Sequence, residues 1–318
     1  MLRRITTLSL GLVLLVGCGN ESFDQASRSP GSTGGASSVT ATKAQAEAAF
    51  AMLGRLKDAW KRRDCATVAS LTTWAENAVA ENACKAAKDG YQPSTLGEYG
   101  QVDYFLPATT PDDDRGAWFV ALARDPEPAY FVFVQADGRW KLGAGPIPAL
   151  RKTPQPAAPV RQVEDDSKIA VPASLVPTRH VAFLSDPAGV SAVKFASGDR
   201  MRDLLRDLVR APEKVRPDRL SVDVEIEGPA YALVLADGGA LVFHSLKVVY
   251  TQKPGSGRSS LAHPRYGKAD LSAFIGIGKP EAITGSELLT LATQVSKNNT
   301  MTTVGMRKAL EEIALGNR

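Results

Sequence analysis

Three histidines and three cysteines in 318 residues leave little material for metal or nucleophilic chemistry. His180, His244 and His263 fall in no H-E-x-x-H or comparable ligand spacing. The G-x-S-x-G turn that exposes a nucleophilic serine is missing as well. Gly276-Ile277-Gly278-Lys279-Pro280 is glycine-rich, but Pro280 makes it a turn rather than a phosphate-cradling loop at the mouth of a helix. Beyond the first residues there is no long apolar run, so nothing approaches the roughly 20 apolar residues of a spanning helix. Strong charge of one sign is also lacking. The chain carries a formal +4, with net −2 over residues 40–150 and net +5 over residues 151–318. Five charges spread over a domain suit an evenly solvated surface. Nucleic acid is not an expected partner: Asp203 and Asp207 interrupt the Arg202, Arg206, Arg210 stripe, and intrahelical ion pairs account for that pattern.

What is present begins at the amino terminus. Arg3 and Arg4 precede an apolar stretch, Ile5 to Val16, and small Gly17 precedes Cys18. A basic head, a short apolar core and a small residue at the cut describe a secretory signal. Leu15-Val16-Gly17-Cys18 resembles the lipobox of bacterial lipoprotein leaders. That resemblance implies cleavage before Cys18, a diacylglyceryl thioether on its sulfur, and attachment to the extracytoplasmic face of the cell membrane. Two or three acyl chains hold a protein durably where one is marginal. With Cys18 lipidated, Cys65 and Cys84 remain as a pair in an oxidising compartment, and a disulfide between them is expected.

Residues 18–39 are rich in Ser, Gly and Thr and read as a flexible tether. A helix starts at Thr42, where Thr42-Lys43-Ala44-Gln45 matches a capping box. Ala46, Ala49, Phe50, Leu53, Leu56 and Trp60 then recur on one face. Shorter helices are expected near Cys65–Leu71 and Trp74–Lys88. Strand-like runs follow at Gln101–Pro107, Ala117–Arg124, Ala129–Gln135 and Arg139–Leu142, with Asp137-Gly138 as a hairpin turn. Residues 149–174 read as a Pro-rich extended linker between a first domain, 40–148, and a second, 175–318. In the second, Asp199–Ala211 is helical. Leu220–Glu227, Tyr231–Ala236, Ala240–Thr251, Leu271–Ile277 and Glu287–Ser296 read as strands, Asp237-Gly238-Gly239 as a turn, and Met306–Leu315 as a closing helix. The expected class is α+β: two domains, each with helices packed on a curved, mainly antiparallel sheet.

The helical front end, the Trp60–Cys65 segment and the Asp137-to-Leu142 hairpin resemble nuclear-transport-factor-2-like domains. These are cone-shaped α+β folds in which helices wrap a curved sheet. The stretch Tyr231–Phe243, with its Asp237-Gly238-Gly239-Ala240-Leu241 turn, is similar to the second half of secreted actinobacterial lipoproteins that carry no agreed activity. The resemblance implies a fold and a setting, and no functional residues.

Enzymes on the cone fold place a Tyr/Asp or His/Asp pair inside it for proton transfer. Tyr99, Asp103 and Tyr104 are the nearest candidates, but Asp103 and Tyr104 are adjacent on a strand and point to opposite faces. His244, inside the Val242–Leu246 strand run, is a candidate to face a pocket and titrate, while a lone strand histidine is more often a surface or satisfied core residue. Asp112-Asp113-Asp114, beside Pro111 and Gly116, reads as a solvated loop rather than a cation site. No cofactor is expected. The expected function is a non-enzymatic binding or assembly module for an envelope protein, a peptide or a cell-wall component, held at the membrane through Cys18. The alternatives are a small-molecule or lipid carrier using the cone pocket and, last, an isomerase- or hydrolase-type enzyme.

Overall fold

The computed structural model describes residues 40–93, 96–108 and 116–316. Cys18, the Ser/Gly-rich segment and Asp112-Asp113-Asp114 lie outside the described residues. Helix α1 (Lys43–Arg62) begins at the capping box: Gln45 N–H donates to the Thr42 hydroxyl, and Thr42 N–H donates to the Gln45 side chain. It buries Ala46, Ala49, Leu53 and Leu56 of the expected stripe together with Ala59, while Phe50 and Trp60 are partly buried beside them. Asp64 caps α2 (Cys65–Leu71), and α3 (Trp74–Lys88) follows after two residues. The Cys65–Cys84 disulfide joins α2 to α3 with the Cα atoms 5.6 Å apart.

Four strands come next: β1 (Gly100–Phe105), β2 (Trp118–Asp125), β3 (Ala129–Ala136) and β4 (Arg139–Pro148). They form an antiparallel meander in chain order. Ala136 pairs with Arg139 across Asp137-Gly138, both at positive φ (53° and 69°), as a tight primed turn requires. The second half carries α4 (Ala170–Ser174), α5 (Val176–Leu184), α6 (Arg200–Lys214), β5 (Arg219–Val234), β6 (Ala240–Lys253), α7 (Lys268–Ile275), β7 (Ile283–Val295) and β8 (Met301–Leu315). Strands β5 to β8 form a second four-stranded antiparallel sheet in chain order. The α+β class, with helices on each of two antiparallel sheets, is therefore the observed one.

Strand periodicity explains how these pieces stack. In the first sheet Phe119, Ala121, Phe131 and Phe133 face α1, while Trp118, Val120, Leu122, Tyr130 and Val132 face the other way. In the second, Val242, Leu246, Val248 and Leu291 face α5 and α6, and Tyr231, Leu233, Leu241 and Phe243 face the first sheet. The two sheets thus meet face to face, giving four layers: helix, sheet, sheet, helix. Trp118 lies 5.1 Å from Tyr231 and Tyr130 5.4 Å from Phe243, centroid to centroid. Each such aromatic contributes about 1.5–3 kcal/mol through burial alone.

Two further features lock the halves together. Arg307 on β8 donates to both Glu76 oxygens on α3 (2.5 and 3.2 Å) and to the Gly145 carbonyl of β4 (2.7 Å). The proline-rich segment after β4 is extended, and it lies along the C-terminal half of β5. Ala157 N–H donates to Val234 O, Val163 N–H to Ala232 O, and Val234 N–H to Arg161 O, each at 2.9 Å. Pro154, Pro156 and Pro159 suit this position because a sheet edge does not need their missing N–H groups.

Four expectations differ from the structure. The stretch 149–174 is not extended throughout, because α4 (Ala170–Ser174) forms its end. Met306–Leu315 is not a closing helix but part of β8, hydrogen-bonded along β7. Leu271–Ile277 is not a strand; its first residues belong to α7, which ends at Gly276 in the left-handed conformation (φ 69°). The runs Leu220–Glu227 and Tyr231–Ala236 are one strand, irregular at Gly228 (φ 69°). A Cβ there would sit 2.4 Å from the Trp74 indole, which donates to Glu227 O at 3.1 Å.

If the sheet-to-sheet contact is the shared core, Phe243→Ala should cost about 3–5 kcal/mol in urea unfolding followed by tryptophan fluorescence. A loss below about 1 kcal/mol would show that the interface collapses around the deletion and is not tightly packed.

Candidate functional site

The tyrosines and the histidine singled out from sequence do not come together. Tyr99 stands edge-on to Phe131 at 4.9 Å. Tyr104 stands edge-on to Phe50 at 6.2 Å and to Phe119 at 6.4 Å. Burial raises both phenols, with Glu47 adding to the effect at Tyr104. They belong to the aromatic filling between α1 and the first sheet. Asp103 is exposed and held by Arg124 at 2.7 Å. His244 lies on the far face of the second sheet, so both sheets separate it from the tyrosines.

His244 has a partner that sequence reading missed. His180 on α5 packs against it with the ring centroids 4.8 Å apart, and both rings are fully buried. His180 Nδ1–H donates to Val176 O at 2.9 Å. That bond leaves the His180 Nε2 lone pair bare. Neither that atom nor either His244 nitrogen has a hydrogen-bond partner. Burial pushes His180 down to about 4, with the Val176 bond and Asp199 opposing the shift. Burial, then the His180 neighbour, holds His244 well below the ordinary range. Asp199, also buried, caps α6 through Met201 N–H and accepts from Thr303 N–H and its hydroxyl at 2.7 and 2.8 Å. The signal for His180 was the spacing Val176, His180, Phe183, Leu184, with Pro177 at the start of the helix.

These imidazoles are sealed under α5. Among the described residues, no set of three or more His, Cys, Asp or Glu side chains is arranged to hold a metal ion. The pair is an acid-sensitive packing element. At the surface of this half lies an open groove of about 670 Å³ between α5, α6 and the first half of β5. Leu184, Leu208, Val209, Leu220, Val222 and Val224 form its apolar lining. Its charged lining residues are Asp223 and Glu225, both carboxylates.

Residues 35–275 match the family model described as "Domain of unknown function (DUF8094)". The chain belongs to this family. The matched DUF8094 span includes the histidine pair and every residue lining the β5 groove, and it stops before β7 and β8. No curated protein and no solved structure matches the chain.

The histidine pair has a signed consequence for stability. Both groups titrate lower folded than unfolded, so their stabilisation is complete above about pH 6.5 and is lost as pH falls toward about 4. For His180 alone the loss is about 3 kcal/mol. Urea midpoints compared at about pH 7 and about pH 4.5 should fall more steeply in the wild type than in a His180→Leu, His244→Leu double variant. Parallel profiles would mean the pair is not buried neutral.

Proposed function

We propose that this DUF8094 protein is a lipid-anchored binding or assembly module of the bacterial cell envelope, tethered through Cys18 and acting without catalysis. The observation that carries the binding role is the open groove beside β5, in which an apolar floor of Leu208, Leu220, Val222 and Val224 lies beside the carboxylates Asp223 and Glu225. The envelope setting draws on the leader and on the Cys65–Cys84 disulfide, a bond that persists in oxidising compartments. No helix among the described residues is long and apolar enough to cross a membrane.

On this reading the first half is a nuclear-transport-factor-2-like module used as scaffold. Phe50, Phe119, Phe131, Phe133 and Leu142 fill the space beneath its helices, where a carrier would keep a cavity. The second half presents the contact surface.

In-cell crosslinking tests the proposal. Wild-type protein should give a reproducible set of envelope adducts, and Cys18→Ala should reduce them about tenfold or more by removing the concentration that anchoring supplies. The same adducts at the same yield from both forms would contradict a membrane-localised role.

A further inference from the structure

We infer that the first half of β5 receives an extended, basic and apolar peptide segment of a partner protein as a fifth strand of the second sheet. The inference rests on the binding role proposed above and names its site and partner chemistry.

β5 is an edge strand, with β6 on one side only. The proline-rich segment is hydrogen-bonded along the other side at Ala232–Ala236, in the C-terminal half of the strand. Along Arg219–Ile226, no backbone hydrogen bond among the described residues reaches β5 from the side away from β6; at Glu227 the Trp74 indole donates to the carbonyl. A strand edge of this length presents a row of donors and acceptors that natural proteins ordinarily cover, twist away or shorten. Here the hydrogen-bonded cover lies along the C-terminal half.

The side chains beside the open edge define what fits. Leu220, Val222 and Val224 alternate toward the groove and are only partly buried. On the lips, Val209 is 52% and Ile226 46% exposed. An added strand would place every second side chain over this apolar floor. Its remaining side chains would lie beside Asp223 and Glu225, which are exposed and make no salt bridge among the described residues, Lys247 opposite Glu225 being held by Glu311. These carboxylates favour lysine or arginine at the facing positions, since opposite charges across a strand pair stabilise and like charges oppose. A second copy of this chain would instead bring an identical carboxylate pair to the same place. The partner segment is therefore extended, apolar on one face and basic on the other. Backbone bonds would supply affinity, and the alternating side chains specificity.

The test uses full-length protein and an alternating valine–lysine peptide as long as Arg219–Glu227, read by fluorescence anisotropy and hydrogen exchange. It should bind about tenfold or more tighter than a valine–glutamate peptide of the same length. Exchange should slow at Arg219–Glu227. N-methylating one alternate set of peptide amides should abolish binding, and methylating the other set should not. Asp223→Lys with Glu225→Gln, both at exposed positions, should weaken valine–lysine binding and remove the charge preference; glutamine is used at 225 because that residue stands opposite Lys247 on β6, where a lysine would oppose a like charge.

Equal binding of the two peptides, unchanged exchange at Arg219–Glu227, or equal tolerance of both methylation patterns would each overturn the inference. So would a concentration-dependent dimer protecting the same amides, which would assign the edge to a second copy. If the peptide fails while anchored in-cell adducts persist, the edge inference alone is wrong. If both fail, the binding role beneath it falls as well.

Discussion

The structure depends on one contact, the packing of the two sheets against each other. Each sheet alternates its side chains between two apolar faces, and neither can leave its inner face in water. Trp118, Tyr130, Tyr231 and Phe243 close that gap together. Once the inner faces are used, the outer faces still require cover, which α1 and α2 supply on one side and α4, α5 and α6 on the other. Helix α3 spans both halves, placing Trp74 against Tyr231 and Glu76 against Arg307. A buried ion pair of this kind adds little net stability over an apolar replacement, but removing one partner leaves an uncompensated charge. Its place here is to set how α3, β4 and β8 meet.

The same packing decides where chemistry is possible. Closing α5 over the second sheet seals His180 and His244 away from any substrate, turning two titratable groups into a pH-dependent element of the core. It also leaves α5 and α6 standing beside the first half of β5, so that the space between them opens to solvent. The long β5 strand is asymmetric. Its C-terminal half is held between β6 and the proline-rich segment, and its N-terminal half is paired on one side. Stability and accessibility are thus divided along a single strand, which is the arrangement the proposed binding role uses.

Much of this was legible in the residues, and the exceptions have physical causes. The capping box at Thr42, the Asp137-Gly138 turn and the cysteine pairing rest on local chemistry, and each is found where its residues place it. Met306–Leu315 failed because Met306, Ala309, Leu310 and Ile313 happen to repeat at helical spacing, whereas β7 offers a complete ladder that the segment pairs with instead. Leu271–Ile277 failed because a short apolar run has no clear period, and Gly276 was read as part of a turn rather than as a helix end. His180 lies on α5, a helix of nine residues that opens on Pro177, so its period is short, although a proline at a helix start is well tolerated. The face-to-face union of the sheets was not legible at all: two-sided apolar strands announce burial on both faces, but not by what. The groove follows from that union and was equally invisible.

Native-state hydrogen exchange across the sheets tests the shared core most directly. Amides of β3 and β6 should open with the same free energy and the same denaturant dependence, because neither sheet can lose its inner face without exposing the other. Opening of β1 to β4 at a distinctly lower free energy, with β5 to β8 still protected, would contradict the account and leave two separately folded halves.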